Sequence, residues 1–376
     1  MTNKRKVTFC NEVKEISTHI DRLSEVTAGQ SLCVLIDQNV LNQYPVLDFS
    51  NVKIHEQMSI DIDLQKTNRK IVFIQINANE KTKTLETYSE IIDKMVSKGV
   101  TRDFAMIGIG GGITTDIAGY ISTTYMRGMK SLVLVPTTIM SQVDAAFGGK
   151  NGVNFKHSSG YYAKNMIGSF RLPDEIVICP QIVNTARKVE KTNSHSEILK
   201  YWLLSYANDA LKDEFIVIDK YLNTGDLYTD YNESIIQACL KVKNWYIGND
   251  VTDINDRRIF LNLGHTFAHA INSFKPEMSH GQTLWMALWI LYCWAVFKGK
   301  NTEFTDAWWN IIIRVKSLDF IFNFKQQDFI EIVHHIVFDK KNTSEGVRLI
   351  FIDDTGKLSI VGNEALEELK PFIQYI

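Results

Sequence analysis

Phe104-Ala105-Met106-Ile107-Gly108-Ile109 runs straight into Gly110-Gly111-Gly112-Ile113-Thr114-Thr115-Asp116. An apolar run of strand length, a triple glycine and an amphipathic continuation predict a strand, a tight turn and a helix over residues 116–125. That order suits a pyrophosphate. Glycines let the backbone come close, and a helix N-terminus offers N–H donors and the positive end of a dipole. The spacing is not the GxGxxG fingerprint, so the turn alone admits a plain connection as readily as a dinucleotide site.

The same alternation continues on both sides. Residues 31–36 form an apolar run that ends in Asp37-Gln38-Asn39, and residues 71–76 form another. Asn79-Glu80-Lys81-Thr82-Lys83-Thr84 then leads into an amphipathic helix over 85–97, stopped at Gly99. Residues 132–135 predict a further strand, closed by Pro136-Thr137-Thr138. Strands alternating with helices predict a parallel sheet with helices on both faces. From about Pro180 the pattern turns helical, and all seven tryptophans lie beyond position 200. The expected plan is an α/β dinucleotide-binding domain over 1–180 and a mainly α-helical domain over 181–376.

Composition narrows the function classes. The chain has 376 residues, 45% apolar and 22% charged, and a formal charge of −2, which argues against nucleic acid as a main partner. The longest apolar run, 284–297, is too short to span a bilayer and fits a buried helix, with Trp285 and Trp289 in the core. Cys10, Cys33, Cys179, Cys239 and Cys293 are odd in number and scattered, which points to reduced thiols in a cytoplasm. The polar, basic opening is not read as a signal peptide.

The second informative stretch is Leu261-Asn262-Leu263-Gly264-His265-Thr266-Phe267-Ala268-His269-Ala270. His265 and His269 are four apart, so they share one helical face. His280-Gly281 follows downstream, and Glu197 and Lys200 lie three apart upstream. Two imidazoles and a carboxylate make a catalytic zinc set with a position left open, so Glu197, His265 and His280 are the candidate metal ligands. Spacing alone favours three unrelated polar residues on helices, since this is not the HExxH pattern.

Together the two stretches resemble the sugar phosphate cyclases, and within them 3-dehydroquinate synthase. The resemblance runs from about Asp37 to Gly356, with five motif blocks in the family's order. It implies a dehydroquinate synthase-like fold that binds NAD and zinc (or cobalt). It implies NAD contacts at Asp37, Asn39, Glu80, Lys83, Gly111, Gly112, Asp116, Thr137 and Thr138. Val143-Asp144 through Lys150, and Lys164-Asn165, match the blocks around the sugar phosphate. Arg127 would reach a phosphate across a homodimer interface. Lys243, Arg258 and Asn262 would face the substrate carboxylate and hydroxyls, and His269 its phosphate. One lysine of Asp339-Lys340-Lys341-Asn342 would also bind phosphate, and either Lys340 or Lys341 satisfies the motif. Lys200 and Asp144 would tune proton movements at the reacting alcohol.

The implied reaction closes a seven-carbon sugar acid phosphate, 3-deoxy-arabino-heptulosonate 7-phosphate or a close analogue, into a carbocycle with loss of phosphate. NAD would be oxidised and reduced again within one turnover. The alternatives are an aminodehydroquinate- or valiolone-type cyclase and a metal-dependent polyol dehydrogenase of the same fold. The sequence departs from the family's pattern at Ser194-His195-Ser196, where glycines are usual. It departs again at Cys179-Pro180, at Thr114-Thr115 and in a longer loop within 156–163. The spacing from Lys243 to Asn262 is one residue long, so Arg257 competes with Arg258 for the same role.

Overall fold

The structure, a computed structural model, describes residues 6–16, 18–19, 31–45, 47, 61–64, 69–158, 162–248, 256–299, 302–314, 324–338, 348–362, 369 and 371–372. The chain divides into two compact units, Met1–Ala186 and Arg187–Ile376.

The first unit is built on a seven-stranded sheet. In chain order its elements are β1 (Lys6–Phe9), β2 (Leu32–Asp37), α1 (Gln38–Gln43), β3 (Asp61–Leu64), β4 (Arg69–Ile76) and α2 (Leu85–Ser97). Then come β5 (Ala105–Gly110), α3 (Gly112–Thr124), β6 (Ser131–Pro136), α4 (Ile139–Val143), β7 (Lys150–Lys156), β8 (Tyr162–Phe170) and β9 (Glu175–Ile178). The strand order is β1-β9-β6-β5-β2-β4-β3. Every pairing is parallel except β3 with β4 at one edge. The runs predicted as strands are strands for a simple reason. β5 is buried along its whole length and β2 nearly so, which only a sheet covered on both faces allows.

The chain winds away from β2 in both directions, to β4 on one side and to β5, β6 and β9 on the other. The reversal falls between β2 and β5, so a crevice for a ligand is expected beyond their carboxyl ends. The helices start there in an orderly way. Asp37 caps α1 and Thr84 caps α2 through their side chains, and Thr138 forms a capping box with Ser141 at α4. Helix α3 begins at Gly112, four residues before the expected start, because the triple glycine already belongs to its cap and first turn.

The segments around Lys150 and Lys164, to which the sequence assigned no strand, form an antiparallel ribbon of β7 and β8, with a bulge between Val153 and Phe155. A buried Asn151 and Asn154 interrupt the apolar alternation by which a strand is recognised.

The second unit is helical: α5 (Lys188–Tyr206), α6 (Lys212–Thr224), α7 (Glu233–Ile247), α8 (Asp256–Ile259), α9 (His265–Phe274), α10 (His280–Lys298), α11 (Glu303–Arg314) and α12 (Gln326–Phe338). An antiparallel pair, β10 (Leu349–Ile352) and β11 (Leu358–Val361), closes it, as the short apolar runs 347–352 and 357–361 predict. α5 is buried on nearly every face from Thr192 to Ser205, so it is the central helix of the unit. α10 packs on it, and Trp285 Nε1 donates to the Thr192 carbonyl at 2.9 Å. Among the described residues, no helix is long and apolar enough to cross a membrane.

Candidate functional site

The candidate cofactor residues of the first unit lie at the carboxyl edge of its sheet. Asp37 ends β2 and accepts the Asn39 backbone N–H at 3.0 Å. Burial pushes the Asp37 carboxyl above its ordinary value, against hydrogen bonds from Asn39 and Ala78. Gly111 and Gly112 open α3, and Thr137 N donates to the Gly110 carbonyl at 3.0 Å, tying the turns after β5 and β6 together. A Cβ on Gly111 would lie 3.1 Å from Thr138 Cγ2, so the two turns are in close contact.

A polar cluster stands beside this edge. Lys83, only 6% exposed, donates to Asp116 Oδ2 at 2.5 Å and to Asn165 Oδ1 at 2.6 Å. Lys83 and Asp116 were expected at the dinucleotide and Asn165 at the sugar phosphate; one hydrogen-bonded network holds all three. Asn165 sits at φ 50°, a strained conformation for a non-glycine residue, and its N–H donates to Asn154 Oδ1 at 3.0 Å. Asn154 in turn takes the Lys83 carbonyl with its N–H and the Glu80 carbonyl with its Nδ2. Sequence reasoning gave Asn154 no role. Its signal was available: a polar residue placed where a strand should be apolar. Lys164 stands 3.9 Å from Glu80 Oε2, and both side chains are largely exposed. Lys150 and Arg127 are exposed and Asp144 is half-buried. Arg127 follows Met126 in a turn where both residues have positive φ.

In the second unit, Glu197, His265 and His280 converge. Each offers one ligand atom, and these atoms lie within 4.8 Å of one another. Glu197 Oε1 is 3.1 Å from His280 Nε2 and 3.5 Å from His265 Nε2. Among the described residues no other group of His, Cys, Asp and Glu is drawn together in this way.

The donor chemistry fits a cation. His265 Nδ1 lies 3.2 Å from the Leu263 carbonyl. A carbonyl only accepts, so Nδ1–H donates to it, and in the neutral ring Nε2 is the nitrogen left to bind a cation. Burial pushes His265 below its ordinary pKa, although Glu197 opposes this. Nε2 and the Glu197 carboxylate oxygen are turned to the same point, as ligands of one cation are. A ligating histidine whose other nitrogen is fixed by a carbonyl is the usual arrangement. Burial pushes the Glu197 carboxyl up, but Lys200 and the two imidazoles outweigh it and hold it well below the usual carboxylate range. Two imidazoles and a carboxylate suit zinc or cobalt and leave coordination positions open.

Local sequence explains how the ligands are aimed. Arg258 lies four residues before Asn262, a spacing that predicts a shared face with the start of the His265 helix, but the three do not share one continuous helix. α8 ends at Ile259, a 3-10 turn covers Phe260–Asn262, and Gly264 takes φ 79° before α9 starts at His265. Only glycine adopts that backbone without strain, and it sets His265 at the first turn of α9. His269 lies one turn on, its ring centre 6.0 Å from that of His265. Ser279 caps α10 so that His280 opens it.

Lys243 on α7 and Arg258 on α8 are buried, at 5% and 2% exposure. Arg257 instead is exposed and lies 3.6 Å over the Trp245 ring, which separates the two neighbouring arginines by environment. Lys340 and Lys341 lie outside the described residues.

Family models described as 3-dehydroquinate synthase N-terminal and 3-dehydroquinate synthase C-terminal match residues 73–193 and 194–342. The 3-dehydroquinate synthase of Pyrococcus abyssi is 36% identical over 242 residues, covering 64% of this chain and 68% of that one. Two solved structures share the fold. One is a 2-epi-5-epi-valiolone synthase from Streptomyces hygroscopicus subsp. jinggangensis with NAD+ and Zn2+ bound, at TM-score 0.72 and 19% identity, covering 99% of this chain and 97% of that one. The other is 2-deoxy-scyllo-inosose synthase complexed with carbaglucose-6-phosphate, NAD+ and Co2+, at TM-score 0.73 and 19% identity, covering 96% and 95%.

Proposed function

The chain belongs to the 3-dehydroquinate synthase family, and from that premise we propose that it is an NAD- and metal-dependent lyase. Its reaction closes 3-deoxy-arabino-heptulosonate 7-phosphate, or a close analogue, into a carbocycle and releases phosphate. The observation that carries this reading is the convergence of Glu197, His265 and His280, whose ligand atoms lie within 4.8 Å of one another.

When bound, NAD would supply reversible hydride transfer, and a divalent cation would polarise a substrate oxygen. Glu197, His265 and His280 would hold the cation. Asp37, Asn39, Glu80, Lys83, Gly111, Gly112, Asp116, Thr137 and Thr138 would hold the dinucleotide. Lys200 keeps Glu197 ionised and, with Asp144, would accept or return the proton of the reacting alcohol. Lys243, Arg258 and Asn262 would hold the substrate carboxylate and hydroxyls. Lys150, Lys164, Asn165, His269, one of Lys340 and Lys341, and Arg127 of a second protomer would fix the phosphate. Holding one substrate through successive steps would supply much of the rate. The reading includes a homodimer working in the cytoplasm.

The test incubates the protein with NAD+, Zn2+ and 3-deoxy-arabino-heptulosonate 7-phosphate. Phosphate should be released with no net NADH absorbance. NADH accumulation without phosphate would replace the cyclase with a polyol dehydrogenase. Turnover only with a neutral sugar phosphate would replace it with a valiolone-type cyclase.

A further inference from the structure

We propose that His195 is a positioning residue for the cation site: its imidazole braces α5 against α6 and so fixes where Glu197 points. The proposal rests on the metal role assigned to Glu197, His265 and His280.

His195 has no exposed surface. Its Nδ1 lies 2.5 Å from the Lys191 carbonyl one turn earlier in α5, so Nδ1 carries the proton. Its Nε2 lies 2.7 Å from the Tyr221 hydroxyl of α6. With Nδ1 protonated, Nε2 accepts, and the single Tyr221 proton is shared between it and the Leu227 carbonyl, 3.0 Å away, in the segment after α6. The Tyr221 ring stacks on the imidazole at 5.8 Å, and Tyr228 meets it edge-on at 6.4 Å. The imidazole is therefore held on Nδ1 by its own helix, and on Nε2 and its faces by α6 and the segment after it.

Glu197 follows two residues later. At roughly 100° per residue the two side chains leave α5 on nearly opposite faces. A brace on the back of a helix sets its roll, and roll sets the aim of the front. A carboxylate about 6 Å from the axis moves about 1 Å for a roll of about 10°. That exceeds the roughly 0.5 Å within which a metal constellation has to be held.

The next bridge from α5 to α6, Trp202 Nε1 to Asp219 Oδ1 at 2.9 Å, lies about two turns further on. Without His195 the end of α5 that carries Glu197 would lose its hydrogen bond to α6 and keep the contact of Thr192 Oγ1 with the Tyr228 hydroxyl, 2.8 Å, in the segment after α6.

The test measures zinc affinity of the full-length protein by competition with a chromogenic chelator, with NAD+ affinity and melting temperature measured in parallel. His195→Phe keeps a flat buried ring without the hydrogen bonds. Tyr221→Phe deletes only the hydroxyl and so guards against a misfolded first variant. Ile218→Ala, at another buried position of α6, controls for plain destabilisation. His195→Phe and Tyr221→Phe should each weaken zinc binding about tenfold or more. The double variant should be no worse than the weaker single, NAD+ affinity should hold, and Ile218→Ala should leave zinc affinity within about twofold. If the His195 and Tyr221 variants only lower the melting temperature, like Ile218→Ala, the brace is structural and the proposal is overturned. If Glu197→Gln itself leaves zinc affinity unchanged, the metal assignment fails and takes the proposal with it.

Discussion

Lys200 Nζ lies 2.5 Å from Glu197 Oε2, and the two side chains are 2% and 1% exposed. The carboxylate is thus divided between two tasks: one oxygen meets an ammonium, the other faces the imidazoles of His265 and His280. Breaking a buried pair by removing one partner costs about 3–5 kcal/mol, because it strands the other charge. Lys200→Met should therefore lower the melting temperature of the metal-free protein. Added Zn2+ should then raise it by more than in the parent, since a cation at the triad replaces the lost charge. Equal zinc shifts in parent and variant would contradict this coupling.

Metal removal tests the triad directly. Glu197→Gln and His280→Ala should each lose bound zinc, measured by elemental analysis after gel filtration, together with turnover. Full activity in a metal-free variant would defeat the assignment.

Gly281 sets the distance between two ligand-bearing helices. A Cβ there would lie 2.3 Å from the Asn193 carbonyl oxygen of α5, and backbone cannot rotate away as a side chain can. Gly281→Ala should push α10 off α5, cost about 1–3 kcal/mol by overpacking, and weaken zinc affinity through His280. An unchanged zinc affinity would show that α10 adjusts without moving His280.

The Lys83 cluster makes a separate prediction for the first unit. Asp116→Asn leaves a nearly buried ammonium without its carboxylate partner. NAD+ affinity, read by nicotinamide-dependent fluorescence quenching, should fall about tenfold, corresponding to roughly 1.4 kcal/mol. Zinc affinity should stay unchanged, because the triad belongs to the other unit. Loss of zinc with NAD+ affinity intact would reverse the assignment of the two sites.

The cysteines should be chemically silent. Burial pushes Cys33 and Cys293 up to about 12, and burial with Cys179 pushes Cys10 up to about 11. The thiolate is the reactive form, so at pH 7.5 iodoacetamide should modify only traces of native protein. All five cysteines should react once the chain is unfolded in urea, as mass spectrometry would count.

The amino-acid order by itself determined the strands β2, β4, β5 and β6, the helices α2 and α3, the helical second half and the closing strand pair; the turn expected after Asp37 is instead the short helix α1. Each rests on local signals: a buried apolar run, a cap, a glycine stop. It marked Glu197, His265 and His280 only together with the family resemblance, because residue type and spacing alone also admit three unrelated polar residues. Only the tertiary structure decided what depends on neighbours distant in sequence. It paired Lys150–Lys156 with Tyr162–Phe170 across a segment that reads as loop, because buried asparagines hide the strand period. It broke the helix before His265 at Gly264, and it separated buried Arg258 from Arg257 over Trp245. It brought His195 against Tyr221, two residues whose meeting no spacing foretells. Local order is governed by backbone sterics and periodicity, which a sequence displays. Burial, roll and ligand aim arise from packing between elements, which it does not.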